Sequence, residues 1–101
     1  MEQTNLQSYI ALAKQGTRAS VKKIMNDLNG NMTIAESKLI DFALGHVNRE
    51  EGVQAMEHYL FHGSQIQRNY CTLYFCRRGE YPIVRKAYDQ GLIDAKQAFS
   101  R

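Results

Sequence analysis

Apolar residues recur along this chain at spacings of three and four, the signature of helices that bury one side. Leu6, Tyr9, Ile10 and Ala13 lie on one stripe, and Val21, Ile24, Met25 and Leu28 on a second. Leu39, Ile40, Ala43 and Leu44 form a third, and Val53, Met56, Tyr59 and Leu60 a fourth. From Ile66 to Cys76 the chain is apolar almost all round (Ile66, Tyr70, Cys71, Leu73, Tyr74, Phe75, Cys76), which predicts its most buried helix. No stretch sustains the alternation a half-buried strand requires, so no substantial sheet is expected.

Helix starts carry their own signals. A capping box places Ser, Thr, Asp or Asn at the N-cap and Glu or Gln three residues on, so that side chains satisfy orphan backbone N–H groups. Thr4 with Gln7, Thr33 with Glu36, Asn48 with Glu51, Ser64 with Gln67 and Asp94 with Gln97 fit that pattern. Pro82 suits a first helical turn, where its missing N–H costs nothing. Gly16, Gly30, Gly45, Gly63, Gly79 and Gly91 each follow a periodic segment, where glycine can take the left-handed conformation that ends a helix. Only Gly52 falls inside a predicted helix. Together these signals predict helices over 5–15, 18–28, 34–45, 49–62, 65–78, 81–90 and 95–100. The short connections make sequence neighbours pack roughly antiparallel.

An internal repeat follows from the glycines. Lys14-Gln15-Gly16, then Val21-Lys22-Lys23-Ile24-Met25, aligns with Arg77-Arg78-Gly79, then Val84-Arg85-Lys86-Ala87-Tyr88, at an offset of 63 residues. An imperfect middle copy runs from Asn48-Arg49-Glu50-Glu51-Gly52-Val53 to Tyr59-Leu60-Phe61-His62-Gly63. The segment from Leu73 through Gly79, Ile83-Val84 and Gly91 resembles an ankyrin repeat, with an inner helix, a glycine turn, an outer helix and a closing glycine. That family's Thr-Pro-Leu-His start is absent, Cys71-Thr72-Leu73-Tyr74 being the nearest approach. The capping boxes at Thr33 and Ser64 leave little room for protruding β-turn fingers, and helical hairpins of the HEAT kind fit the loop lengths better. The resemblance implies an all-α fold: a short α-solenoid of about three stacked antiparallel helix pairs, fingers shortened or absent, in one domain over 1–101. In such a stack each hairpin covers the apolar stripe its neighbour cannot cover alone. The more polar 94–101 segment, anchored by Phe99, suits a terminal cap.

Composition narrows the function classes. The chain has 101 residues, 44% hydrophobic and 23% charged, values of a folded domain rather than a disordered segment. A net charge of +3 is well short of the field of a dedicated nucleic-acid binder. No apolar run reaches membrane-spanning length, so no membrane partner is expected, and Met1-Glu2-Gln3-Thr4 lacks the pattern of a secretory signal. Cys71 and Cys76 sit five apart on one helix, where they diverge around the axis and cannot readily pair. Two reduced thiols point to a cytoplasmic protein.

Few residues suggest chemistry. His58 and His62, four apart, share a helix face with zinc-chelating spacing. No Glu follows the first histidine as in metalloproteases, and ordinary surface histidines are the expectation. Arg77 and Arg78 beside Cys76 would favour a thiolate, but cysteines in an apolar helix are usually core residues. Without a phosphate-cradling loop or a nucleophile with its base, the expectation is a non-enzyme with no cofactor and no metal.

Tyr70, Tyr74, Tyr81 and Tyr88 cluster with Arg68, Arg77 and Arg78, residue types enriched at protein interfaces. The competing reading is that several of these tyrosines fill the core. The expected function is a protein-interaction module whose concave inner-helix face carries Lys14, Gln15, Arg68, Asn69, Tyr70, Tyr74, Arg77 and Arg78. The second reading is a small nucleic-acid-binding or regulatory protein using aligned cations, Lys14, Lys22 and Lys23 against Arg77, Arg85 and Lys86. So few repeats also allow an end-to-end homodimer that covers an exposed terminal stripe.

Overall fold

The computed structural model describes residues 6–99, and over that span the chain is all-helical, with no strand among the described residues. Its elements are α1 (Leu6–Gln15), α2 (Arg18–Asp27), α3 (Ile34–Leu44), α4 (Glu50–His62), α5 (Gln65–Arg77), α6 (Tyr81–Asp89) and α7 (Ala95–Phe99). Among the described residues no helix is long and apolar enough to cross a membrane.

The caps explain the starts. Thr33 and Glu36 close a reciprocal box, with Glu36 N–H donating to Thr33 Oγ1 at 3.1 Å and Thr33 N–H to Glu36 Oε1 at 2.8 Å. Ser64 and Gln67 do the same at 3.3 and 2.8 Å. A third box, Thr17 with Ser20, was not expected, because serine replaces the usual Glu or Gln; both of its bonds are 3.0 Å. Thr4 and the side chains of Gln97 and Phe99 lie outside the described residues. Near Asn48, α4 begins at Glu50, the Arg49 carbonyl accepts from Val53 N–H, and the Glu51 carboxylate reaches 33 residues back to Arg18 N–H.

The stops divide by backbone geometry. Gly16, Gly79 and Gly91 have φ of 62°, 74° and 77°, whereas Gly45 ends α3 in a right-handed conformation at −60°. After α5, Glu80 N–H reaches Phe75 O and Gly79 N–H reaches Cys76 O; after α6, Leu92 N–H reaches Ala87 O and Gly91 N–H reaches Tyr88 O. Both are Schellman closures. Gly16 uses the simpler single bond, to Leu12 O.

The chain divides into two units, Met1–Met56 and Glu57–Arg101. In the first, α1 packs against both α2 and α3. Tyr9 and Ala13 of α1, Val21, Ile24 and Met25 of α2 with Leu28 at its C-cap, and Ile40, Ala43 and Leu44 of α3 are buried, as are Val47, Ala55 and Met56. Tyr9 keeps its hydroxyl satisfied by donating to Asp27 Oδ2 at 2.9 Å.

The start of α4 closes this unit onto the α1–α2 turn. Arg49 Nη1 donates to Gln15 O, Glu51 accepts from the first N–H of α2, and a Cβ on Gly52 would lie 2.8 Å from Gly16 O. Gly52 therefore sits mid-pattern because backbone passes against backbone there, and a side chain would not fit.

In the second unit α5 packs against α6 and α7, and α6 against α7. Leu60, Cys71, Thr72, Tyr74, Phe75, Val84, Ala87, Ile93 and Ala98 are buried. The Thr72 hydroxyl is satisfied within its own helix by donating to Arg68 O at 2.8 Å. No residue from Ile66 to Cys76 is exposed, in line with the apolar character of that segment.

Candidate functional site

Helix α5 presents two contrasting sides. Cys71, Thr72, Tyr74 and Phe75 point into the core of the second unit. Ile66, Asn69, Tyr70 and Leu73 are half-buried, and Arg77 is exposed. These five recur at spacings of three and four and so form one stripe along the helix. Asn69, Tyr70 and Arg77 were expected at a binding face; Ile66 and Leu73 join them. Their 3-and-4 spacing with Asn69 and Arg77 was the available signal, obscured because α5 is apolar all round.

The other expected site residues are placed differently. Arg68 turns to the opposite side of α5, where Nε donates to Leu92 O at 3.0 Å and Nη1 to Gly63 O at 2.8 Å. Its guanidinium thus ties the α4–α5 turn to the α6–α7 connection. Tyr74 is a core residue with 1% exposure. Burial pushes its phenol above the ordinary range, an effect that the neighbouring Arg78 charge opposes. Arg78 lies 5.3 Å from the Tyr74 ring centre and bonds Glu80 Oε2 at 2.6 Å. That bond pushes the guanidinium pKa up, so Arg78 is fixed in its charged form over an aromatic face. Lys14 and Gln15 are exposed at the end of α1, in the first unit.

A separate basic face lies on α2, where Arg18, Lys22 and Lys23 are all exposed. In the second unit Arg85 pairs with Asp89 at 3.1 Å, and Lys86 lies 5.7 Å from the Phe61 ring centre.

An open cleft of about 310 Å³ in the first unit is lined by Tyr9, Asp27, Asn29, Asn31, Met32 and Glu36. Its polar atoms hold the α2–α3 connection: Tyr9 to Asp27, Asn31 N–H to Asn29 Oδ1 at 2.8 Å, and Glu36 in the α3 cap. Among the described residues no three His, Cys, Asp or Glu side chains gather as metal ligands. Cys71 is buried and its thiol is pushed far up by desolvation, which makes it a poor nucleophile. Half-buried Cys76 places Sγ 3.9 Å from Ala98 O.

No protein-family model matches this chain, and neither a search of curated proteins nor one of solved structures finds a similar chain.

Proposed function

We propose that this chain is a non-catalytic protein-interaction module that docks a partner on the stripe of α5. The observation that supports this reading is the half-buried run Ile66, Asn69, Tyr70 and Leu73, ending at exposed Arg77. Apolar area interleaved with a tyrosine and ending at an arginine is the composition of an energetically concentrated interface. The reading includes a short solenoid of about three helix pairs working in the cytoplasm, of which α1 packs directly against α2 and α5 against α6. Its support is local: Gly16 and Gly79, 63 residues apart, are both left-handed, and each precedes a helix whose next valine, Val21 or Val84, is buried.

The test is affinity purification of the full chain from its native host, against a Tyr70→Ser/Arg77→Glu variant with unchanged circular dichroism. A protein captured by the wild type and lost by the variant is the expected result. Capture of the same proteins by both, or of none, rejects the stripe.

One observation favours a second reading: the three exposed cations of α2, Arg18, Lys22 and Lys23. Three phosphate contacts would give log K a slope of about −3 against log salt. Absence of DNA and RNA binding at low salt removes that reading.

A further inference from the structure

Outside the stripe, the arrangement best suited to a ligand is on α4. His58 and His62 are both exposed, their ring centres are 5.0 Å apart, and the ring planes are inclined by 38°. They occupy positions i and i+4 near the end of a 13-residue helix, so the backbone holds their Cβ atoms on one face, one turn apart. Both belong to the second unit. The flank of this pair is aromatic, since the Tyr59 ring stands edge-on to His58 at 5.4 Å and 85°.

A bidentate chelate sets its own distances. With a zinc–nitrogen bond of about 2.0–2.1 Å, each imidazole centre lies about 3.2 Å from the ion. An N–metal–N angle between right-angled and tetrahedral then puts the two centres about 4.5–5.2 Å apart. The observed 5.0 Å falls inside that window without any change in the helix. Exposure also matters, because an arriving hydrated ion must lose water and keep its other positions open.

The geometry points to a two-histidine site for a transition-metal cation of the copper, nickel or zinc class. Each imidazole donates a ring-nitrogen lone pair, the ion releases two waters, and no bond in the protein is made or broken. The remaining coordination positions face solvent and are open to water or to a donor from another molecule. The pair discriminates by ligand type: imidazole suits borderline ions, whereas magnesium and calcium require oxygen ligands. Affinity therefore follows the order in which copper(II) exceeds nickel(II) and zinc(II), manganese(II) is weak and magnesium does not bind.

The third histidine supplies the control. His46 is half-buried in the first unit, with Nδ1 3.3 Å from Ala43 O and its ring 5.5 Å from that of Phe42. The experiment is isothermal titration of the full chain, free of any histidine tag, with copper, nickel, zinc and magnesium chlorides. The expected result is one ion per chain in the stated order, with His46→Gln indistinguishable from wild type. His58→Gln and His62→Gln each weaken binding by at least the roughly 10–100-fold that loss of an outer-shell partner produces. A thermal melt gives the second readout: metal raises Tm of the wild type and of His46→Gln but not of the other two. Equal binding by His58→Gln or His62→Gln, magnesium affinity matching zinc, or no heat with any ion at millimolar concentration overturns the site.

Discussion

Gly52→Ala tests how tightly the first unit is closed. In an open helix the change would stabilise by about 0.8–1.0 kcal/mol, because alanine is the better helix former. Here the added Cβ would meet Gly16 O at 2.8 Å and Val47 Cγ1 at 2.8 Å. Neither neighbour yields easily. Gly16 holds a left-handed turn at φ 62°, and Val47 is completely buried. Forcing a methyl into a packed site costs about 1–3 kcal/mol. Moving α4 outward also weakens the bonds from Arg49 to Gln15 O and from Arg18 N–H to Glu51, at about 0.5–1.5 kcal/mol each. Less the propensity gain, the net loss is about 1–5 kcal/mol, a fall in Tm of at least about 4 °C. Urea and thermal denaturation followed by far-UV circular dichroism measure it. Gly30→Ala is the control: nothing lies within 4 Å of its added Cβ, so the change stays within about 0.5 kcal/mol. A Gly52→Ala protein as stable as wild type refutes the close-approach account.

Two further outcomes follow from the second unit. Arg68→Ala removes both carbonyl bonds, to Leu92 and Gly63, and lowers the urea-derived stability by about 2–4 kcal/mol; Arg68→Lys recovers only part of it, because one ammonium cannot reproduce the fork. Cys71 makes stability fall at high pH. Its folded pKa is raised by burial, so above about pH 8.5 the unfolded chain sheds a proton that the folded chain keeps. The unfolded state then binds fewer protons, and stability drops by about 1.4 kcal/mol per pH unit, or about 2 kcal/mol between pH 8.5 and 10. Urea midpoints across that range measure the slope, and Cys71→Ala flattens it; an equally steep variant refutes the assignment.

The helices were legible because their determinants are local. The 3-and-4 stripe that runs through α2 to its C-cap Leu28 is buried at all four apolar positions, and Thr33 and Ser64 cap through residues only three away. What escaped depends on residues distant in sequence. Glu51 resembles a local cap but binds Arg18, and Gly52 resembles a helix defect until the Gly16 turn is seen against it. Arg68 and Tyr74 look like interface residues by type. Their roles are set by the Leu92 carbonyl 24 residues away and by packing around α5, which spacing in the chain does not encode. The missing charge contrast on α5 had the same effect: with apolar residues all round, no pattern separated the core side from the half-buried one.

The clasp between α4 and the α1–α2 turn makes the first unit's assembly depend on events more than thirty positions apart. A nascent chain that has exposed only its first two helices still lacks the carboxylate that greets the opening amide of α2, and the arginine that covers the preceding bend. Loop closure over that interval has to be met before those bonds form. Glu51 and Arg49 therefore act as late fasteners, and the stretch that carries them is as much a part of the first unit as the helices it holds.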